Sequence, residues 1–179
     1  MVVKLEIPQK AYQHLLNHLN PHKDNVEQAA FLFCDVTNSG ERFLFSFKDM
    51  YAATFDDFEI HSAYHIELKD EVKSKVIRQA HHLGASIVEV HSHVDQRSAK
   101  FSYSDWSGFS EFVPHVMWRL KGKPYIALVF APSSFDALVW IGDSKIPVPL
   151  SEIAVAGKTF TPTNNSIVDF NSKKHESFW

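Results

Sequence analysis

Several residue types and patterns are scarce in this sequence, and each scarcity excludes a class of protein. The chain of 179 residues has one cysteine, Cys34, which cannot form an internal disulfide. Only 6 glycines and 8 prolines occur, which excludes collagen-like and low-complexity chains. No run approaches the roughly 20 apolar residues of a membrane-spanning helix. The opening stretch, MVVKLEIPQK, lacks the apolar core of a secretory signal, so we expect a cytoplasmic protein with no membrane partner.

Neither sign of charge is in large excess. The chain has 18 Lys and Arg residues against 21 Asp and Glu residues, a net charge of -3. Proteins that bind nucleic acids usually carry a basic surface, so we expect no nucleic-acid partner. Apolar residues are plentiful at 45%, with 22% charged, which is the composition of a globular protein. The length predicts one domain.

Helix and strand patterns alternate along the chain. Apolar residues at helical spacing predict helices over residues 8–19 and 69–83 and from Ser102 onward, the last kinked or ended by Pro114. Runs of β-branched and apolar residues predict strands over 29–36, 42–53, 85–93, 124–131 and 136–142. We expect residues 55–68 to form a loop with a short strand. We therefore expect an α/β domain over residues 1–161, with a central mixed β-sheet flanked by helices. Residues 162–179 form a polar tail, either disordered or a docking segment.

Two of the 11 histidines, His91 and His93, end a predicted buried strand. Residues two apart on a strand point to the same face, so both imidazoles can reach one metal ion. A catalytic zinc ion takes three protein ligands and leaves a fourth position open. Asp105 is the expected third ligand, because the loop of residues 94–101 can fold back toward the strand end. Ser102 and Asp105 also fit a helix capping box, which needs no metal, and the two interpretations are compatible.

Other residues compete for these roles. Glu89 shares the strand face of both histidines and could fix an imidazole tautomer or act as a base. Asp95 is a weaker alternative to Asp105 as a metal ligand. Cys34 lies inside a predicted strand, and we interpret it as a buried core residue rather than a nucleophile. The remaining histidines receive no predicted role in chemistry.

The order Glu27, His91-Ser92-His93 and Ser102-x-x-Asp105 resembles the signature of the JAMM (MPN/JAB) metalloproteases, which is H-x-H followed after about seven residues by S-x-x-D. The predicted helices and strands also follow the order of that family over most of the chain. The resemblance implies a single MPN/JAB domain with a layout similar to that of cytidine deaminases. The loop of residues 94–101 is one residue longer than the common pattern, and Val94 stands where proline usually follows H-x-H, as in divergent bacterial members.

This resemblance implies a zinc-dependent isopeptidase. His91, His93 and Asp105 would hold Zn²⁺. Glu27, preferred to Glu89 on the resemblance, would be the general base and then the acid, and Ser102 would donate a hydrogen bond to the oxyanion. The implied substrate is the bond after the carboxyl terminus of ubiquitin or a ubiquitin-like protein. Bacterial relatives are often encoded beside E1-like and E2-like enzymes, some in antiphage systems, so such enzymes are candidate partners.

The same residues are compatible with other functions. The protein could process a ubiquitin-like precursor or a sulfur-carrier protein instead of undoing conjugates. It could also be a non-catalytic MPN-type scaffold, although such scaffolds usually lack several of the residues present here. A zinc nucleobase deaminase is disfavoured, because one cysteine cannot supply the P-C-x-x-C element. For the enzyme, we expect residues 54–68 and 94–101 to line the substrate channel.

Overall fold

The computed structural model describes residues 1–20, 25–95, 97–142 and 145–176. Within these residues the strands are β1 (Val2–Glu6), β2 (Ala29–Ser39), β3 (Arg42–Ala52), β4 (Phe58–His61), β5 (Ile66–Leu68), β6 (Ser86–Ser92), β7 (Tyr125–Ala131), β8 (Ser134–Trp140), β9 (Val148–Pro149), β10 (Glu152–Val155) and β11 (Lys158–Phe160). The helices are α1 (Gln9–His18), α2 (Asp70–Leu83), α3 (Tyr103–Arg119) and α4 (Asn165–Glu176).

A nine-stranded mixed sheet forms the centre of the fold, in the order β11-β10-β1-β3-β2-β6-β7-β8-β9. Strand β6 is antiparallel to β2 and parallel to β7, so it is paired on both edges. The strands β4 and β5 form a separate two-stranded hairpin. The predicted α/β class, with a central mixed sheet flanked by helices, is confirmed.

Helices cover both faces of the large sheet, and the alternation of side chains along each strand supplies two apolar clusters. On one face, Val88 and Val90 of β6 pack in a cluster with Leu15 of α1. On the other face, Ile87 packs in a cluster with residues of α2 and α3, including Val113. Because strand residues alternate, positions 89, 91 and 93 lie on the same face as Ile87. The histidines of the predicted metal site therefore face α2 and α3.

The structure excludes one of the two predictions for Pro114 and differs from the sequence prediction elsewhere. Pro114 lies inside α3 and does not end it, since the helix continues to Arg119. Pro114 is exposed, where water can pair with a carbonyl that lacks its helical donor. Strands β1, β9, β10 and β11 were not predicted, although the residues of β1 alternate between exposed and buried positions. The segment 55–68 forms a 3₁₀ turn followed by the β4–β5 hairpin, and not a loop with one strand.

Helix α4 begins within the predicted polar tail. Ser166 is 0% exposed and Ile167 is 9% exposed, so the first turn of α4 is buried against the rest of the domain. This part of the tail is a docked helix, while the predicted boundary at residue 161 stays a prediction. Among the described residues, none of the helices is both long and apolar enough to cross a membrane.

Candidate metal centre

The pairing of β2 with β6 sets Glu27 opposite His93. Ala29 of β2 lies opposite His91 of β6. The same register continues one residue further, because the N–H of Gln28 donates to Oγ of Ser92 (3.0 Å) and the N–H of Ser92 donates to the Gln28 carbonyl (2.9 Å). The next pair in this register is Glu27 and His93. A base candidate and a ligand candidate that are distant in sequence therefore meet at one end of the sheet.

The side chains of His91, His93 and Asp105 converge on one point. The two Nε2 atoms lie 3.2 Å apart. Nε2 of His91 is 3.5 Å from Oδ1 of Asp105, and Nε2 of His93 is 3.6 Å from Oδ2. Ligand atoms around a tetrahedral Zn²⁺, with bonds of about 2.0–2.1 Å, lie roughly 3.3 Å apart. The three groups could therefore hold a metal ion, and imidazole with carboxylate is a donor set that zinc accepts.

Ser102 orients the carboxylate of Asp105. As the N-cap of α3, Ser102 donates to Oδ2 of Asp105 through its main-chain N–H (2.6 Å) and its hydroxyl (2.7 Å). The N–H of Asp105 donates back to Oγ of Ser102 (3.3 Å), which completes the capping box. Asp105 thus belongs to the capping box and to the group of candidate ligands at the same time. The Ser102 hydroxyl is directed at Asp105 here, and its role as an oxyanion donor stays a prediction.

Burial and neighbouring charges shift the pKa values of these groups. Burial raises the pKa of Glu27 to about 7, although the nearby His93 and His91 rings act in the opposite direction. Burial also tends to raise the pKa of Asp105, but the His91 ring and hydrogen bonds with both histidines outweigh it and hold this pKa well below its usual range. Burial tends to lower the pKa of His91, and the Asp105 carboxylate reverses that shift and raises it. Asp105 is therefore an ionised carboxylate, the form that binds a cation.

Glu27 lies beside the three candidate ligands without belonging to their group. Its side chain is buried, and Oε1 is 3.9 Å from Nε2 of His93. Its main-chain N–H donates to the Ser62 carbonyl (3.0 Å), and its carbonyl accepts a hydrogen bond from Nε2 of His61 (2.9 Å). The His61 ring stacks on Phe58 at a centroid distance of 4.1 Å. The β4–β5 hairpin thus holds the main chain of Glu27 through Ser62 and His61. No local sequence signal indicated this role of His61.

The alternative residues occupy other environments. The carboxylate of Glu89 accepts a hydrogen bond from the phenol of Tyr125, which is 0% exposed and was not identified from the sequence. Burial raises the pKa of Glu89. Asp95 pairs with Arg97 at 2.6 Å and is not part of the converging group. Cys34 is buried in the core, which raises its thiol pKa to about 12, so the thiol is neutral.

A cleft of about 870 Å³ opens over the candidate metal centre. Its walls come from residues 64–68, from α2 and from α3. Tyr64 and Tyr103, each 88% exposed, lie at this cleft. Of the two loops expected to line a substrate channel, 54–68 contributes residues 64–68, whereas the described residues of 94–101 do not line the cleft. Part of the second loop packs instead near α4, where the Phe101 N–H donates to Ser166.

Comparisons with known proteins assign no family to this chain. No protein-family model matches it, and no curated protein matches it. One solved structure with some likeness is the STIL N-terminal domain of Trichoplax adhaerens, which is 12% identical over 73% of this chain and 38% of that chain, with a TM-score of 0.36. The chain thus spans well under half of that structure, and a likeness this weak says nothing about function.

Proposed function

We propose that this protein is a zinc-dependent isopeptidase of the JAMM type, which hydrolyses the bond after the carboxyl terminus of a ubiquitin-like protein. The convergence of His91, His93 and Asp105, with ligand atoms 3.2 to 3.6 Å apart, carries the proposal. The buried carboxylate of Glu27, 3.9 Å from His93, supports it by supplying a base at the same point. The proposal includes an MPN/JAB domain and a location in the reducing cytoplasm, where a lone buried cysteine is ordinary.

The three candidate ligands and Glu27 have different roles in this reaction. A bound Zn²⁺ would supply a water molecule with a pKa lowered to about 7 and would polarise the scissile carbonyl. His91, His93 and Asp105 would hold the ion. Oε1 of Glu27 would accept a proton from the attacking water and return it to the nitrogen of the leaving amine. The reaction needs no covalent intermediate with the protein, which agrees with the neutral, buried thiol of Cys34.

The cleft wall supports an extended polypeptide as the substrate. Strand β5 contributes to the wall and, among the described residues, pairs with β4 alone. A strand with one unpaired edge can form main-chain hydrogen bonds to an added peptide. The carboxyl-terminal tail of a ubiquitin-like protein is such a peptide. We propose that this tail lies along β5, with its last carbonyl at the metal.

The test is cleavage of two substrates by the zinc-loaded full chain. One is the ubiquitin-like protein encoded nearest this gene, joined to a lysine side chain, and the other is a linear fusion of the same protein. We expect the lysine-linked bond to be cleaved, the activity to disappear with a chelator, and added zinc to restore it. Asp95→Ala is the matched control and should retain activity, because the Asp95 carboxylate is bound to Arg97.

Each other outcome of this test points to a different function. Cleavage of the linear fusion alone would contradict deconjugation and favour precursor processing. Zinc binding without cleavage of either substrate would contradict an enzyme and favour a scaffold. Cleavage that survives complete removal of metal would exclude the proposed mechanism.

A further inference from the structure

The chain segment of residues 98–101 joins the loop after His93 to the helix that carries Asp105, and the residues around the start of α4 hold it. Oγ1 of Thr163 donates to the Ala99 carbonyl at 2.9 Å. The side-chain amide of Asn165 donates to the same carbonyl at 3.1 Å and to Oγ of Ser98 at 3.0 Å. The main-chain N–H of Phe101 donates to Oγ of Ser166 at 2.9 Å. Polar contacts thus hold the backbone of the segment at Ala99 and Phe101 and the side chain of Ser98.

Ser166 is itself anchored to the central sheet. Its N–H donates to Oδ2 of Asp136 on β8 at 2.8 Å. Both Ser166 and Asp136 are 0% exposed. Hydrogen bonds between fully buried groups are costly to lose, because water cannot replace the missing partner. A continuous path of buried polar contacts therefore runs from β8 through Ser166 to the backbone of Phe101.

Phe101 transmits this anchoring to the metal centre. Its ring is 2% exposed and lies 5.8 Å from the His91 ring, centroid to centroid. The next residue, Ser102, is the one that donates two hydrogen bonds to the Asp105 carboxylate. Phe101 thus packs on one ligand and directly precedes the residue that orients another.

Side chains of α4 also contact the residues just before Phe101 and just after Asp105. Lys100 forms an ion pair with Asp169 of α4. Trp106, the residue after Asp105, stacks on Phe170 of α4 with a centroid distance of 5.2 Å and an interplanar angle of 11°. Asp169 and Phe170 lie one turn beyond Ser166, so the first two turns of α4 contact this region.

We propose that α4 is a clamp that positions Asp105 and the His91 ring, with Ser166 as the main positioning residue. The affinity of the site for a metal then depends on a helix that contributes none of the three ligands. This inference rests on the proposed metal centre. Losing a group that orients a metal ligand typically lowers metal affinity about 10- to 100-fold. Because Ser166 acts through Phe101 and Ser102, we expect the lower end of this range.

Two serine-to-alanine substitutions on α4 test the clamp in the full chain. Ser166→Ala removes the acceptor of the Phe101 N–H. Ser172→Ala is the matched control, because the Ser172 hydroxyl is exposed and bonds the Val168 carbonyl (2.9 Å) of its own helix. Zinc affinity is measured by competition with a chelating dye. We expect about tenfold weaker binding for Ser166→Ala and unchanged binding for Ser172→Ala.

The absorption spectrum of the Co²⁺-loaded protein separates positioning from a general loss of stability. Displaced ligands should change the intensity or position of the cobalt bands in Ser166→Ala, whereas a merely less stable fold would leave them unchanged. Asn165→Ala is a milder second variant, in case Ser166→Ala does not fold, and should shift both measurements in the same direction. Unchanged zinc affinity and an unchanged cobalt spectrum in folded variants would overturn the proposal.

Hydrogen exchange of the metal-free chain keeps this proposal distinct from the proposed function. We expect the amide of Phe101 to exchange faster in Ser166→Ala than in the wild type and in Ser172→Ala. If the wild-type chain bound no zinc, the proposed function would fail, while the exchange rate would still report on the clamp. Equal exchange rates of the Phe101 amide in all three proteins would overturn the clamp, whether or not the wild-type chain binds zinc.

Discussion

Nε2 of His91 and Nε2 of His93 lie 3.2 Å apart and face the same carboxylate. Both rings come from one strand face, and His91 is 5% exposed, so water has little access to it. Buried polar atoms in native proteins normally have partners. Two neutral imidazoles can share at most one hydrogen bond between these two nitrogen atoms, whereas one cation would bind both and the carboxylate as well.

The first prediction concerns Asp105, the third candidate ligand. Asp105→Ala should weaken zinc binding by more than about 100-fold, since the loss of a group that merely orients a ligand already costs 10- to 100-fold. Asp95→Ala is the control, and its zinc content should equal that of the wild type. Equilibrium dialysis followed by metal analysis gives both values. Equal zinc content in the two variants would remove Asp105 from the ligand set.

The second prediction separates the two candidate bases. Glu27→Gln should keep the metal and lower turnover of the lysine-linked substrate by about 10²- to 10⁴-fold, the usual contribution of a general base. Glu89→Gln keeps the hydrogen-bonding shape beside Tyr125 and should retain most of the activity. The comparison requires turnover rates and zinc content of both variants. The opposite pattern would assign the base to Glu89.

Local patterns could predict the parts of the site that lie on single elements. The side-by-side position of His91 and His93 follows from the two-residue period of a strand. The capping box of Ser102 and Asp105 follows from residue types three positions apart at a helix start. Neither pattern depends on the rest of the chain, which is why both could be recognised without a structure.

The contacts that hold the site could not be predicted, because they join distant segments. The His61 ring bonds the carbonyl of Glu27 over a separation of 34 positions, and the Phe101 N–H bonds Ser166 over 65. Strand β1 is completed by parallel neighbours, β3 and β10, that lie far along the chain. Parallel pairing carries no turn signal between its strands, unlike the β2–β3 hairpin.

The third prediction tests the role of His61. His61→Ala removes the hydrogen bond to the Glu27 carbonyl and the stack on Phe58. We expect about a tenfold lower turnover with unchanged zinc content, because a net hydrogen bond contributes about 0.5–1.5 kcal/mol and its loss would displace the base. His14→Ala, at an exposed position on α1, is the control and should match the wild type. Loss of zinc in His61→Ala would contradict a role confined to Glu27.

The fourth prediction concerns the pH dependence of stability at the 3₁₀ turn Phe55–Asp57, which precedes the β4–β5 hairpin. Burial tends to raise the pKa of Asp57, but hydrogen bonds from the N–H (2.7 Å) and hydroxyl (3.0 Å) of Thr54 and from Tyr51 (2.8 Å) outweigh it and lower this pKa. A lowered pKa means that the stabilisation is complete above the unfolded-state value of about 3.9 and is lost as the pH falls through the folded-state value.

Asp57→Asn should therefore destabilise the protein at neutral pH and not in acid. We expect the free energy of unfolding at pH 7 to fall by about 0.5–1 kcal/mol, the lower part of the range for a helix cap, because the site is partly exposed. Urea unfolding at several pH values checks this, with Asp56→Asn at the exposed neighbouring position as the control. If the free energies of unfolding of Asp57→Asn and the wild type differed by the same amount down to pH 3, the ionised Asp57 carboxylate would not be the source of the stabilisation.

A crystal structure of the full chain grown with zinc, with anomalous data collected at the zinc edge, tests whether His91, His93 and Asp105 bind one zinc ion. We expect one anomalous peak per chain, about 2.0–2.2 Å from Nε2 of His91, Nε2 of His93 and one oxygen of Asp105. An absent peak, with the Asp105 carboxylate turned away from both rings, would contradict a metal centre at these residues.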